Sequence, residues 1–145
     1  MQEFPHHYKT TASASNDSPI ELTSPGLDAL ESAGPAEFGG PGDLWSPETL
    51  LSAAIADCFI LSFRAVARAA KLEWLNITCD VDAVLEKVER VTQFTEFHQT
   101  VVLEVPPGTD EAKAMRMLEK AEHVCLITNS LTGTVHLNAT VRVVG

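Results

Sequence analysis

From Val135 to Val143 apolar and polar residues alternate: Val135, Leu137, Ala139, Val141 and Val143 fall on one side, His136, Asn138, Thr140 and Arg142 on the other. A period of two predicts a strand with one dry face. The same period, carried by Ile77, Cys79, Val81, Ala83 and Leu85 until Val84 interrupts it, predicts a strand over 76–85. A further strand is predicted over 92–105, with Phe97, Val101, Leu103 and Val105 on its apolar face and Pro106-Pro107-Gly108 ending it. The two are expected to pair as a long antiparallel hairpin.

Elsewhere the pattern is helical. Ser46-Pro47-Glu48 is a helix start: Ser46 caps, Pro47 suits the first helical position and Glu48 places an anion at the positive end of the dipole. That helix is predicted to run to about Leu72. Its first half is apolar on nearly every face and is expected to be buried all round, while Arg64, Arg68 and Lys71 mark an emerging second half. A second helix opens at Thr109-Asp110-Glu111, with Ala114, Met117, Leu118, Ala121, Val124 and Cys125 as its stripe, followed by a short helical turn. Residues 6–14 and 19–23 read as short strands separated by turns, and a third short strand fits Leu27 to Glu31. Four Gly and two Pro between Gly34 and Gly42 predict a loop without regular structure. Strands, a long helix, a hairpin, one or two helices and a last strand make an α+β fold. At 145 residues, one domain over 1–145 is expected.

Twenty acidic against ten basic residues give a net charge of −10, which repels phosphate backbones and anionic lipid. Nucleic acid and membrane are therefore excluded as expected partners. The apolar run from Leu50 to Phe63 is shorter than the roughly 20 residues a bilayer needs, and Asp57 interrupts it. The opening Met1-Gln2-Glu3-Phe4-Pro5 has neither a basic nor an apolar signal region, so a cytoplasmic location is expected. In that setting paired cysteines act as transient redox centres rather than permanent staples. No repeat, heptad or phosphate-binding glycine motif occurs, and no cofactor is expected.

The candidate chemistry lies in the cysteines. The nearest two, Cys58 and Cys79, are 21 residues apart, which is not the spacing of a zinc or iron–sulfur site. Thiol–disulfide chemistry remains. Ser46-Pro47-Glu48-Thr49-Leu50-Leu51, then Asp57-Cys58-Phe59, then Val124-Cys125 followed by Asn129-Ser130, together resemble the OsmC/Ohr family of osmotically inducible and organic hydroperoxide resistance proteins. The order of elements extends the likeness over the whole chain. The resemblance implies antiparallel strands around a long buried central helix, in an intertwined homodimer with active sites at the subunit interface. It implies thiol-dependent reduction of organic hydroperoxides in oxidative stress defence. Cys58 would be the peroxidatic cysteine, Cys125 the resolving one and Glu48 the carboxylate that organises the site, with a dithiol reductant, typically a lipoylated protein in the organic hydroperoxide branch, reopening the disulfide.

Family members usually carry an arginine in the N-terminal strand region, to pair with the glutamate and stabilise the thiolate. Here the first arginine is Arg64, and only Lys9 supplies a side-chain cation before it. That departure leaves a second reading open, in which the fold binds a small apolar ligand at the dimer interface with little peroxidase chemistry. Cys125, at a helix N-terminus, is expected to have its thiol pKa lowered by the dipole. Cys79, on a dry strand face, reads as a core residue. Trp45 and Phe59 are expected to pack in the core. His98 and His136 fall on polar strand faces and read as solvated, and His6-His7 point to opposite sides of a strand, so no metal site is expected.

Overall fold

The computed structural model describes residues 1–145, which fall into two compact units, Met1–Leu50 and Leu51–Gly145. The first unit is a small antiparallel sheet of β1 (Thr11–Ser13), β2 (Ile20–Thr23) and β3 (Leu30–Ser32), in that order. Between β2 and β3 the Leu27 N–H donates to the Ser24 carbonyl at 3.1 Å, with Pro25 leading and Gly26 at φ 78° following. Pro then a residue of positive φ is the arrangement of a type II turn, which favours glycine at the second place. Residues 6–10, expected in the first strand, have no regular structure. The glycine- and proline-rich loop, expected to be irregular throughout, holds one 3₁₀ turn at Ala36–Phe38. Trp45, expected in the core, is 48% exposed in the chain.

The long helix α1 (Pro47–Ala69) starts at the end of this unit. Its cap is reciprocal: the Thr49 N–H donates to Ser46 Oγ at 3.1 Å and the Ser46 N–H to Thr49 Oγ1 at 2.8 Å. This is a capping box with threonine in the place usually held by glutamate or glutamine.

In the second unit β4 (Asn76–Val88) and β5 (Val91–Val105) pair antiparallel as expected, from Asn76↔Glu104 to Val88↔Val91. The register shifts between Val84 and Leu85, where Thr95 is the extra residue on β5. The bulge exchanges inward and outward positions on β5, bringing Phe94 opposite Leu85, while β4 keeps its phase with Val84 opposite Glu96 and continues to Val88. The chain then crosses through α2 (Glu111–Val124) and α3 (Leu126–Asn129) to β6 (Thr134–Val143). β6 pairs with β5 in parallel, from Glu96↔Thr134 to Val105↔Val143. An all-antiparallel strand arrangement is therefore corrected, because the helical crossover returns the chain to the end of the sheet where β5 began.

The core of this unit sits on one face of the sheet. Phe59, Phe63 and Ala67 of α1 and Ala114, Leu118 and Ala121 of α2 meet Val101, Leu103 and Val105 of β5, with no solvent exposure at any of them. Lys113 Nζ ties the two helices together by donating to the Ala70 carbonyl at 2.8 Å. α1 is not buried all round: its buried positions are Ile55, Phe59, Phe63, Val66 and Ala67, a single helical stripe, while Leu61 is 54% exposed. One sheet covers one face of a helix, and the other apolar positions of its first half are only partly covered, Leu61 least. At 23 residues α1 is long and apolar enough to cross a membrane, but its stripe builds this core, so it is a core helix.

The two-residue turn of the hairpin places both Glu89 (φ 49°) and Arg90 (φ 73°) in the left-handed region. Such turns match the twist of the strands but favour Asn-Gly, because a Cβ is strained there. Replacing Glu89-Arg90 with Asn-Gly is expected to raise stability by about 1 kcal/mol. Urea denaturation with an unchanged slope is the measurement, and an unchanged or lower midpoint contradicts the account.

Candidate functional site

Cys58 flanks the buried stripe of α1, three residues after Ile55 and one before Phe59, and is half-buried. Its Sγ lies 3.9 Å from Ser62 Oγ, one turn further along the helix. Cys125 occupies the joint between α2 and α3, capping the end of one and the start of the other, and is 0% exposed. Its carbonyl accepts from Thr128 Oγ1 at 3.2 Å and from the Asn129 N–H at 3.1 Å, which pins the joint. The Cys58 sulfur is near enough to act on the Cys125 thiol electrostatically, and both are free thiols. Two cysteines 67 positions apart in the chain thus come together as neighbouring thiols.

The Cys125 thiol is pushed up from its ordinary pKa, first by burial and then by the Cys58 sulfur, while hydrogen bonds from the Thr128 backbone and side chain pull the other way. The expected lowering at a helix N-terminus is not found. α3 has only four residues, and removal from water outweighs its short dipole. Cys79, on β4 opposite Val101, packs partly buried against the core, and its thiol is pushed up to about 11 by burial, by Asp80 and by Cys125. It is a core residue, as expected, but one within electrostatic reach of the thiol pair.

Glu48 stands in the first turn of α1, where its Oε1 is buried without a hydrogen-bond partner. No cation pairs with it, and the Lys9 side chain is exposed and forms no ion pair. Gln99, which the sequence pattern did not single out, is 1% exposed on the core face of β5, and neither atom of its amide has a partner. A polar residue among Phe97, Val101 and Leu103 was the signal available in the sequence. A buried amide left unpaired costs on the order of 1–3 kcal/mol, so Gln99 is a position where packing has yielded to something else.

Residues 40–140 match the family described as OsmC-like protein. The chain belongs to that family. Among its relatives, an organic hydroperoxide resistance protein of Xanthomonas axonopodis pv. citri is 30% identical over 133 residues, covering 90% of this chain and 89% of the relative. The crystal structure of an organic hydroperoxide resistance protein OsmC from Legionella pneumophila superposes with a TM-score of 0.75 at 25% identity, covering 97% of this chain and 99% of that one. An OsmC-like protein of unknown function from Vibrio cholerae reaches a TM-score of 0.82 at 18% identity, covering 94% and 100%. The α+β OsmC-like architecture expected from the motifs is therefore present, with the parallel β5–β6 pairing and partly buried α1 as its corrected details.

In this OsmC-like chain the raised thiol of Cys79 sets a pH dependence. Folding lifts its pKa from 9.0 to about 11, so the folded protein holds the proton more tightly than the unfolded one. The stabilisation is complete below pH 9.0 and is lost as pH climbs from there towards about 11. The urea midpoint is expected to fall across that window, and to fall less steeply in Cys79→Ala. Equal slopes for the two proteins contradict the assignment.

Proposed function

We propose that this OsmC-like protein is a thiol-dependent peroxidase that reduces organic hydroperoxides through Cys58 and Cys125. The observation that carries the reading is the pair of free thiols brought near each other from two helices, the Cys58 sulfur raising the Cys125 pKa. The Cys58 thiolate attacks the terminal peroxide oxygen, the O–O bond breaks, and the leaving alkoxide takes a proton from solvent to depart as the alcohol, giving a sulfenic acid at Cys58. The Cys125 sulfur then attacks that sulfenic acid. Its own proton, held by the raised pKa until this step, leaves with the hydroxyl as water, and a Cys58–Cys125 disulfide forms. A dithiol reductant, for which a lipoylated protein is suited, returns both thiols by exchange. Glu48 is the carboxylate that organises the site.

The whole chain acts as one OsmC-like domain in the cytoplasm, where reduced thiols are maintained. It works as a homodimer. The apolar positions of α1 that the chain only partly covers, Leu61 among them, are the surface that a second copy buries. The Xanthomonas relative, an organic hydroperoxide resistance protein, supports the substrate class.

Purified protein mixed with cumene hydroperoxide and dihydrolipoamide is expected to consume peroxide well above background, and Cys58→Ser to return consumption to background. In Cys125→Ser, turnover is expected to stop while a sulfenic acid accumulates at Cys58, trapped by a dimedone probe and read by mass spectrometry. An unaltered Cys58 thiol after exposure to several organic peroxides, with a small apolar molecule retained in native mass spectrometry, would instead establish the ligand-binding reading. Light scattering at low micromolar concentration is expected to give close to twice the chain mass of 15.7 kDa. A folded monomer there defeats the dimer.

A further inference from the structure

On the face of the sheet opposite the core, three side chains with metal-ligand chemistry converge. His98 of β5 and His136 of β6 are Cα partners in the parallel ladder, and Glu96 precedes His98 by two residues, on the same face. The imidazole rings stack with centroids 4.6 Å apart and planes 8° from parallel. Glu96 Oε1 lies 3.0 Å from His136 Nε2 and 3.8 Å from His98 Nε2, so a single carboxylate oxygen faces both ring nitrogens. One ligand atom from each of the three residues lies within 4.8 Å of the other two.

We propose that Glu96, His98 and His136 form a binding site for a borderline divalent transition metal of the zinc class, with solvent completing the shell. Two imidazoles and one carboxylate are the donor set of open zinc sites. Ligand atoms on a tetrahedral zinc stand about 3.4 Å apart, for bonds of roughly 2.1 Å. His98 must therefore close on the carboxylate and His136 open from it by a few tenths of an ångström, and side-chain exposures of 41% for Glu96, 44% for His98 and 46% for His136 leave them free to do so. The ladder supplies the rest: partnered backbone positions hold the two histidines side by side before any ion arrives. His136 also borders an open cleft of about 570 Å³ together with Glu119 and Glu122 of α2. A net charge of −10 raises the local concentration of cations.

The competing account is that Glu96 merely accepts hydrogen bonds from two half-exposed imidazoles. The test must also separate this cluster from the cysteines, which bind the same metals. Full-length protein with reduced thiols is dialysed against Zn²⁺, and bound metal is counted by elemental analysis. Wild type is expected to hold one more equivalent per chain than the double variant His98→Asn/His136→Asn, and Glu96→Gln to weaken that equivalent tenfold or more. In the Cys58→Ser/Cys125→Ser background, Co²⁺ is expected to give ligand-field bands without a thiolate-to-cobalt charge-transfer band, and His136→Asn to abolish them. Circular dichroism and urea midpoints of the variants are expected to match wild type, since the side chains are half-exposed. Equal zinc counts in wild type and the double variant overturn the proposal. So does cobalt absorption that survives loss of His136.

Discussion

The packing of one stripe of α1 onto one face of the β4–β5–β6 sheet is the constraint from which the rest follows. Ile55, Phe59, Phe63 and Ala67 are fully buried, and the large ones among them each contribute roughly 1.5–3 kcal/mol by leaving water. That burial fixes the rotation of the helix about its axis. Cys58, next to Phe59, is thereby held at the edge of the stripe, half-buried and beside Ser62. α2 packs on the same sheet face through Ala114, Leu118 and Ala121, and its end delivers Cys125 to the same place. The thiol pair is a consequence of two helices sharing one face.

The crossover that makes this possible also decides the other face. Because α2 and α3 carry the chain back over the sheet, β6 lies parallel to β5, and the register sets His136 beside His98. Core and polar faces are coupled through the period of two: once Phe97, Val101 and Leu103 point inward, Glu96 and His98 point out. The bulge at Val84 and Leu85 confines the exchange of faces to the hairpin end and leaves the rest of the ladder in phase.

Burial, more than helix polarity, governs the buried thiols. Cys125 caps a helix whose four residues bring little field, and removal from water raises its pKa, as it does for Cys79. For the resolving role proposed for Cys125, the raised pKa means the thiol keeps its proton in the resting protein until it leaves with the hydroxyl. Glu48 Oε1 and the Gln99 amide, buried without partners, are the two places where this fold leaves polar atoms unsatisfied, a cost borne more often at functional positions than elsewhere.

Much was legible from local pattern alone. The alternation in 135–143 and 77–85, the Ser46-Pro47-Glu48 cap and the stripe of α2 each depend on residues within a turn or two of one another, and the elements form where those patterns lie. The family could be read for the same reason, since its motifs are short and contiguous, such as Asp57-Cys58-Phe59 and Val124-Cys125. What local pattern does not contain is which distant elements become neighbours. The parallel pairing of β6, the one-sided burial of α1, the raised thiol of Cys125 and the meeting of Glu96 and His98 with His136 each depend on contacts between residues dozens of positions apart. Hydrophobic periodicity says which face of an element is dry. Only the packed structure decides what lies against it, because burial, register and electrostatic proximity are properties of pairs of elements and not of any one segment.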